Sequence, residues 1–196
     1  MFSGIIEALG TIEAISTNGT NKTFTVSSPV SKELKVDQSV SHNGVCLTVE
    51  SCTEKSHTVT AVEESLLKTN MLKWEVGTVV NIERCITLNS LLDGHLVQGH
   101  VDTFGKLLSI ENRDGSYNLT IEFPTEHAHL LIEKGSVSLN GISLTVFNVG
   151  KTSFMVTIIP YTWEHTMLYT AQTGDLINLE FDVVGKYIAR RYELKD

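Results

Sequence analysis

The sequence predicts an all-β protein built from two tandem, homologous barrels, and three observations support this prediction. The phrase SVSHNGVCLTV at 39–49 returns as SVSLNGISLTV at 136–146, at an offset of 97 in a chain of 196 residues. At the same offset, VVNIE at 79–83 is matched by LINLE at 176–180. The chain otherwise consists largely of short runs rich in Val, Ile and Thr between turn residues, which is typical of strands. A repeat of this length indicates two copies of one folding unit.

Four strands are predicted in the first repeat, from the runs of β-branched residues: 23–27, 45–50, 57–62 and 79–84. The pairs Asn43-Gly44 and Asn140-Gly141 each lie between two such runs, where Asn and Gly tolerate the positive φ that a tight hairpin requires. One reading of the repeated phrase is therefore that it is only a hairpin inherited by both barrels. The stretches 64–72 and 162–169 lack alternation and contain better helix formers, so we predict one short helix in each barrel.

The repeated strand also places polar side chains on one face. Strand alternation groups Cys46 with Thr48, and Ser143 with Thr145. We expect this polar face inside each barrel, where it would need hydrogen-bonding partners or a ligand.

The end of the chain is predicted to form a short helix that packs against other chains. Val184, Ile188 and Tyr192 recur at i, i+4 and i+8 in an otherwise polar tail. A helix of this length is not stable alone, so its apolar stripe requires a partner surface.

Composition excludes several classes of protein. The formal net charge of −8 argues against a protein that grips nucleic acid, and no signal sequence or membrane-length apolar run is present. Three cysteines without paired spacing make a disulfide framework or zinc knuckle improbable. We therefore expect a soluble, cytoplasmic protein with neither a nucleic-acid nor a membrane partner.

The histidine spacing does not indicate a metal site. The five-residue spacing of His95 and His100 suits neither face of a helix, and no accompanying carboxylate–histidine set is present. Acid–base or hydrogen-bonding duty is the better interpretation of this pair, and no metal site is predicted. We interpret His127 and His129 as solvated surface.

Five motifs in order give the sequence a family resemblance. They are MFSGII at 1–6, NGVCLTV at 43–49, KTN at 68–70, GHLVQGHVD at 94–102 and NGISLTV at 140–146. Together they closely resemble the riboflavin synthase α chain family of lumazine-binding tandem barrels, over residues 1 to about 190.

The resemblance implies a fold and a reaction. The fold would be two six-stranded Greek-key barrels, at 1–96 and 97–183, followed by a helix at 184–196 that builds a homotrimer. The reaction would be the dismutation of two 6,7-dimethyl-8-ribityllumazine molecules in one active site, without metal or cofactor. Two related barrels would offer two related pockets to two identical substrates. The capsid of lumazine synthase is a candidate partner.

The resemblance also assigns site residues. The candidate catalytic residues are Cys46, Ser143, His95 and His100. In the first pocket the substrate would contact Gly4, Ile5, Ile6, Ser39, Cys46, Leu47, Thr48, Thr60, Ala61, Val62, Glu63, Glu64 and Ser65. In the second pocket it would contact Gly99, His100, Val101, Lys134, Ser143, Leu144, Thr145, Thr157, Ile158, Ile159, Pro160, Tyr161 and Thr162.

Three departures and two alternatives accompany the resemblance. Two of the departures are Glu63, where the family usually has proline, and Tyr161, where it more often has Glu or His. The family often has Asp at the position of Asn140, so a charge-balancing role for that carboxylate is absent here. Lumazine- or flavin-binding proteins that catalyse nothing share the tandem-barrel ancestry, but look degenerate in the motifs that are intact in this chain. An oligonucleotide-binding barrel is excluded by acidity and by the lack of interleaved aromatic and basic residues.

Overall fold

The computed structural model of the protein describes residues 1–194, which form two closed antiparallel barrels of six strands each. The strands of the first barrel are β1 Ala8–Asn18, β2 Asn21–Ser27, β3 Ser39–His42, β4 Val45–Cys52, β5 Ser56–Ala61 and β6 Val79–Arg84. Those of the second barrel are β7 Thr103–Asn112, β8 Tyr117–Glu122, β9 Ser136–Leu139, β10 Ile142–Phe147, β11 Ser153–Ile158 and β12 Leu176–Phe181. The order around the first barrel is β1-β2-β5-β4-β3-β6, and the second barrel has the equivalent order. The predicted pair of six-stranded Greek-key barrels is confirmed.

Helices are few and short within the described residues. They are α1 Glu63–Lys68, α2 Pro160–His165 and α3 Val183–Glu193, with 3-10 turns at Ser31–Glu33, Asn70–Lys73, Thr125–Leu130 and Met167–Thr170. Each barrel has one short α-helix, as predicted, but the helix ends before the predicted stretches 64–72 and 162–169 do. Thr69 and Thr166 are extended, at φ near −130°, and each separates an α-helical turn from a 3-10 turn. None of the helices in residues 1–194 is long and apolar enough to cross a membrane.

The two barrels meet at their Asn-Gly turns. Asn43 and Gly44 have φ of 47° and 81°, and Asn140 and Gly141 have 45° and 85°, so the predicted tight hairpins are confirmed. A Cβ atom added to Gly44 would lie 2.7 Å from the backbone nitrogen of Gly141. The two turns therefore touch back to back, and glycine is needed both for its φ and for the close approach.

Buried asparagines join the barrels around these turns. The Asn81 side chain donates to the Asn140 carbonyl at 2.9 Å, and the Asn178 side chain donates to the Asn43 carbonyl at 2.9 Å. The Asn43 and Asn140 side chains accept the backbone N–H groups of Asn81 and Asn178 at 2.7 and 2.8 Å. Asn140 is thus fully buried at the interface between the barrels, which gives its amide a structural role there.

The N-terminal segment, residues 1–7, and the segment between the barrels, residues 85–102, pair with each other and are called the crossing segments below. Phe2 and Val97 form an antiparallel bridge with N–H to O distances of 2.7 and 3.1 Å, and both side chains are fully buried. Because these two segments cross between the barrels, each reaches the barrel to which it does not belong.

Candidate active site

The repeated strand presents its polar residues on the outside of each barrel. Val45, Leu47 and Val49 are at most 6% exposed in the first core, whereas Cys46 is half-buried and Thr48 is exposed. Alternation then directs Cys46 and Thr48 outward. The expectation that the polar face lies inside the barrel is wrong, because the aliphatic side chains of the same strand fill the interior. Ser143 and Thr145 lie outward in the same way on β10.

Each crossing segment lies against one of these outer faces. The segment between the barrels contacts the first barrel, and the N-terminal segment contacts the second. The Gly99 carbonyl accepts the Cys46 N–H at 2.9 Å, and the Gly4 carbonyl accepts the Ser143 N–H at 2.8 Å. A Cβ on Gly99 would lie 2.6 Å from the Cys46 Cβ, and one on Gly4 would lie 2.5 Å from the Ser143 Cβ. Only glycine permits either contact.

The grouping expected from the sequence is therefore wrong for these two segments. Ile6 packs against the core of the second barrel, and Val101 packs against the core of the first. Gly4, Ile5 and Ile6 belong with Ser143, whereas Gly99, His100 and Val101 belong with Cys46. The physical reason is the Phe2–Val97 bridge, which forces the two segments past each other.

Ser143 is in contact with a buried histidine. The His95 Nδ1 atom lies 2.6 Å from the Ser143 Oγ atom, and His95 is 8% exposed. Burial lowers the pKa of His95, while the nearby carboxylate of Asp182 acts in the opposite direction. Its Nε2 atom is buried and has no hydrogen-bond partner among residues 1–194. A neutral ring with one occupied and one unoccupied nitrogen is able to exchange a proton with a bound molecule.

The surroundings of Cys46 disfavour ionisation of its thiol. Burial raises its pKa, while a hydrogen bond from the Ser39 side chain and the nearby terminal amino group act in the opposite direction. The side chain is therefore a proton donor at rest, because only an electropositive setting would favour the thiolate. His100 belongs to the same pocket, with an exposed side chain.

The remaining candidate residues of the first pocket lie on β3, β4 and β5 and at the start of α1. Ser39 of β3 pairs with Thr48, and Thr60 of β5 donates to Glu50 at 2.9 Å. Leu47 and Ala61 are buried in the core, so they shape the pocket through their backbone. At the start of α1, Val62, Glu63 and Glu64 are exposed and Ser65 is half-buried.

The second pocket has equivalent positions but different chemistry. Lys134 lies in a turn at φ 63°, with its ammonium 5.5 Å from the centre of the Phe147 ring. Thr157, Ile159, Pro160 and Tyr161 are exposed, Leu144 and Thr162 are half-buried, and Ile158 is in the core. Where the first pocket has Glu50, Glu63 and Glu64, the second has Phe147, Pro160 and Tyr161. The two pockets are related by duplication, but the first is the more acidic.

Sequence reasoning overlooked two buried carboxylates, Glu83 and Glu180. They are 4% and 2% exposed, and each accepts hydrogen bonds from one of the crossing segments. A signal was present in the sequence, since VVNIE and LINLE end on these two residues in register. Nothing in the sequence showed that the strand ends turn toward the opposite barrel.

Histidines 127 and 129 differ from each other. His129 is exposed, as expected of surface. His127 is half-buried and stacks on Phe181, with ring centres 5.2 Å apart. The expectation of a solvated side chain is therefore wrong for His127, because the two residues lie on a 3-10 turn rather than on a strand.

Comparison with known proteins agrees with this duplicated architecture. The model of the lumazine binding domain matches twice, at residues 3–85 and 98–182. Riboflavin synthase from Bacillus amyloliquefaciens is 34% identical over 191 residues, which cover 97% of this chain and 89% of the relative. Riboflavin synthase from Mycobacterium bovis is 37% identical over 195 residues, covering 97% of each. A solved structure of LumP complexed with riboflavin superposes with a TM-score of 0.86 at 21% identity, covering 92% of this chain and 99% of that one, and so shares the fold.

Proposed function

The chain belongs to the lumazine-binding domain family, and from this membership we propose that it is a riboflavin synthase, a transferase. In the reaction one molecule of 6,7-dimethyl-8-ribityllumazine gives a four-carbon unit to a second molecule of the same compound. The products are riboflavin and 5-amino-6-(ribitylamino)uracil. Together they contain all the atoms of the two substrates, so the balance requires no external oxidant or reductant.

The chemistry makes two demands on the protein. The 7-methyl group of one substrate must lose a proton, and C7 of the other must accept a nucleophile. Holding two ring systems in register removes most of the translational freedom that a reaction in solution would have to lose. Proton transfer then needs donors and acceptors placed at the reacting atoms.

The contact between His95 and Ser143 is the observation that carries this proposal. In the second pocket Ser143 faces the substrate, and His95 behind it accepts or returns a proton through Nδ1, 2.6 Å from Oγ. Because burial keeps the imidazole neutral, it is able to act as a base at neutral pH. The Nε2 atom is buried and has no hydrogen-bond partner among the described residues, so the proposed proton exchange with the substrate runs through Nδ1 and the Ser143 hydroxyl.

The first pocket contributes a different group at the equivalent position. Its Cys46 thiol is protonated and half-buried, which suits donation of a proton to the ring of the substrate that it holds. His100, on the segment that completes this pocket, is a second proton carrier. One pocket is therefore suited to removing a proton and the other to supplying one.

Product formation tests the proposal. The purified chain is incubated with 6,7-dimethyl-8-ribityllumazine alone, and riboflavin is followed by its fluorescence while substrate is counted by chromatography. We expect one riboflavin for every two lumazines consumed. A protein that only binds lumazine would change the fluorescence of the ligand on titration and form no riboflavin, which would overturn the proposal.

A homotrimer is the proposed assembly, and exposed apolar surface on α3 supports it. Val184, Ile188 and Tyr192 are 56%, 54% and 67% exposed, although they recur on one side of the helix. They border a groove of about 620 Å³ between α3 and the second barrel. Burying this stripe against neighbouring chains would stabilise the helix.

The reacting pair is proposed to lie between two chains. The outward positions of Cys46 and Ser143, each on its own barrel, support a site in which the second ligand is brought by a neighbouring surface. The first barrel of one chain would then face the second barrel of its neighbour. A cytoplasmic location and association with the lumazine synthase capsid stay predictions from the family resemblance.

A further inference from the structure

We propose that Glu83 and Glu180 are reciprocal positioning residues, each holding in place the segment that completes the pocket of the opposite barrel. The inference rests on the proposed function only for the identity of the molecule that the pockets bind. Neither carboxylate lies among the residues that the family resemblance assigns to the substrate.

Glu180 belongs to β12 of the second barrel and acts on the pocket of the first. Its carboxylate accepts the backbone N–H groups of Gln98, Gly99 and His100 at 2.6, 2.9 and 2.8 Å. The next link is the Gly99 carbonyl, which accepts the N–H of Cys46 at 2.9 Å. A continuous line of hydrogen bonds thus runs from a strand of the second barrel to the thiol-bearing strand of the first.

Glu83 belongs to β6 of the first barrel and acts on the pocket of the second. Its carboxylate accepts the N–H and the hydroxyl of Ser3 at 2.7 and 2.8 Å, and the N–H of Gly4 at 3.1 Å. The Gly4 carbonyl then accepts the N–H of Ser143 at 2.8 Å. Each barrel is therefore connected to the pocket strand of the other by an equivalent series of hydrogen bonds.

A carboxylate is the group that these sites require. Three donors converge on each of the two side chains, and an ionised carboxylate has acceptor sites for all of them and no hydrogen to oppose them. Burial raises the pKa of both residues, while the convergent hydrogen bonds act in the opposite direction. Glutamine has the same shape but turns an N–H toward donors, so at least one backbone N–H would lose its partner.

The arrangement predicts that a substitution of either glutamate exposes the pocket residue of the opposite barrel. Release of residues 98–100 would uncover Cys46, because Gly99 lies directly against its Cβ atom. Release of residues 3–4 would likewise uncover Ser143, which Gly4 contacts in the same way. A residue with a merely structural role would weaken its own barrel instead.

Two thiols provide matched probes of the two pockets. In a Cys52→Ser, Cys85→Ser background, Cys46 reports on the first pocket. In a Cys46→Ser, Cys52→Ser, Cys85→Ser background, the thiol introduced by Ser143→Cys reports on the second. The rate of alkylation by iodoacetamide is measured for each thiol with and without Glu180→Gln or Glu83→Gln, and thermal unfolding checks that each variant is folded.

We expect a reciprocal pattern. Glu180→Gln should speed alkylation of Cys46 at least about fivefold and alter the second thiol less than about twofold, since thiol reactivity follows access. Glu83→Gln should do the reverse. Equal effects on both thiols, or effects confined to the barrel that carries the substitution, would overturn the inference.

A measurement on the unaltered chain covers variants that fail to fold. Amide hydrogen exchange of Gly99 and His100 should be slow although neither lies in a helix or strand, because both amides are bound to a buried carboxylate. Fast exchange would contradict the inference. Neither experiment needs turnover, so a chain that forms no riboflavin but shows the reciprocal pattern would refute the proposed function alone.

Discussion

The residues at which the duplicated pockets differ most directly are Cys46 and Ser143. They occupy equivalent positions of the repeat, and each is covered by a glycine of a crossing segment. Within residues 1–194, Ser143 has a buried histidine at hydrogen-bonding distance and Cys46 does not. This inequality suits two identical substrates that must react differently.

Replacing the thiol with a hydroxyl tests its role. We expect Cys46→Ser to lower the single-turnover rate of riboflavin formation at least about tenfold, equivalent to about 1.4 kcal/mol in the barrier, because a hydroxyl is far less acidic than a thiol. Lumazine affinity, measured by fluorescence titration, should change little, since shape and hydrogen-bonding capacity are kept. An unchanged rate would show that the cysteine only packs against Gly99.

A second pair of residues links stability to pH. His42 and His57 are buried in the first barrel with their Nε2 atoms 2.8 Å apart. Because the Val40 carbonyl can only accept, His42 donates through Nδ1, accepts from His57 through Nε2, and leaves His57 Nδ1 to accept from the Ser31 hydroxyl. Burial lowers the pKa of His42 to about 3 and that of His57 to about 4.

These depressed pKa values predict acid sensitivity. The unfolded chain takes up protons near pH 6.5 and the folded chain only near pH 4, so the stabilisation is complete above pH 6.5 and falls below it. Each histidine should lower the free energy of unfolding by about 1.4 kcal/mol for every unit by which the pH falls within this window. The raised pKa values of Glu83 and Glu180 oppose this trend, because a carboxyl with a raised pKa favours the folded state as the pH falls. The measurement is therefore the difference in free energy of unfolding by urea between wild type and His57→Gln, followed against pH. Parallel pH profiles for the two proteins would contradict the prediction.

The sequence predicted which residues belong to the candidate site better than it predicted what those residues contact. Register in the repeat was sufficient to single out Cys46 and Ser143. Their contacts with Gly99 and Gly4 depend on two segments that cross between barrels, and no local pattern in the sequence encodes such a crossing. The His42–His57 pair could not be predicted for a similar reason, because it joins β3 and β5, which are separated by β4 in the sheet and whose side chains meet inside the barrel.

Among the elements, the two Asn-Gly turns connect the barrels as well as closing their own hairpins. Periodicity and turn chemistry predicted both hairpins, and they placed β6 at its observed bounds. Strands β1 and β3 were not predicted, since β1 carries Gly and Ala among its first residues and β3 has only four residues. The back-to-back contact of the turns could not be predicted, because it depends on how the barrels dock.

Asn178 tests the contribution of this interface. Its side chain accepts the Asn70 N–H at 2.7 Å and donates to the Asn43 carbonyl at 2.9 Å, and both bonds are buried. Asn178→Ala leaves two buried backbone groups without partners, so the free energy of unfolding should fall by about 2–5 kcal/mol. Asn89→Ala, in the exposed loop after β6, is the matched control and should change it by less than about 0.5 kcal/mol. Equal urea midpoints for the two variants would argue against a stabilising interface.

Helix α3 is the element on which the proposed assembly depends. Truncation after Gly185 removes Ile188 and Tyr192, and with them most of the exposed stripe that we assign to contact between chains. We expect the mass measured by light scattering to fall from that of a trimer to that of a monomer, with loss of activity. A truncated chain that keeps both its mass and its turnover would show that the helix is dispensable for assembly.

For the whole molecule, duplication explains why the same motif appears twice. One barrel offers one outward pocket, completed by a segment that crosses from beside the other barrel. Two barrels offer two such positions, and in the proposed reaction one serves proton removal and the other proton donation. The account therefore requires both pockets for one reaction, and the proposed assembly takes them from different chains.

Mixing two chains that are each impaired in a different pocket tests this requirement most directly. Cys46→Ser and Ser143→Ala chains are co-expressed with different affinity tags, and mixed oligomers are purified through both tags. If the reacting pair lies between chains, each mixed cyclic trimer contains one interface that combines two unaltered pockets, so the doubly purified oligomers regain about one third of the wild-type sites. We predict that riboflavin formation returns to this level while each variant alone stays at least about tenfold slower. Mixed oligomers no more active than the separate variants would contradict the account.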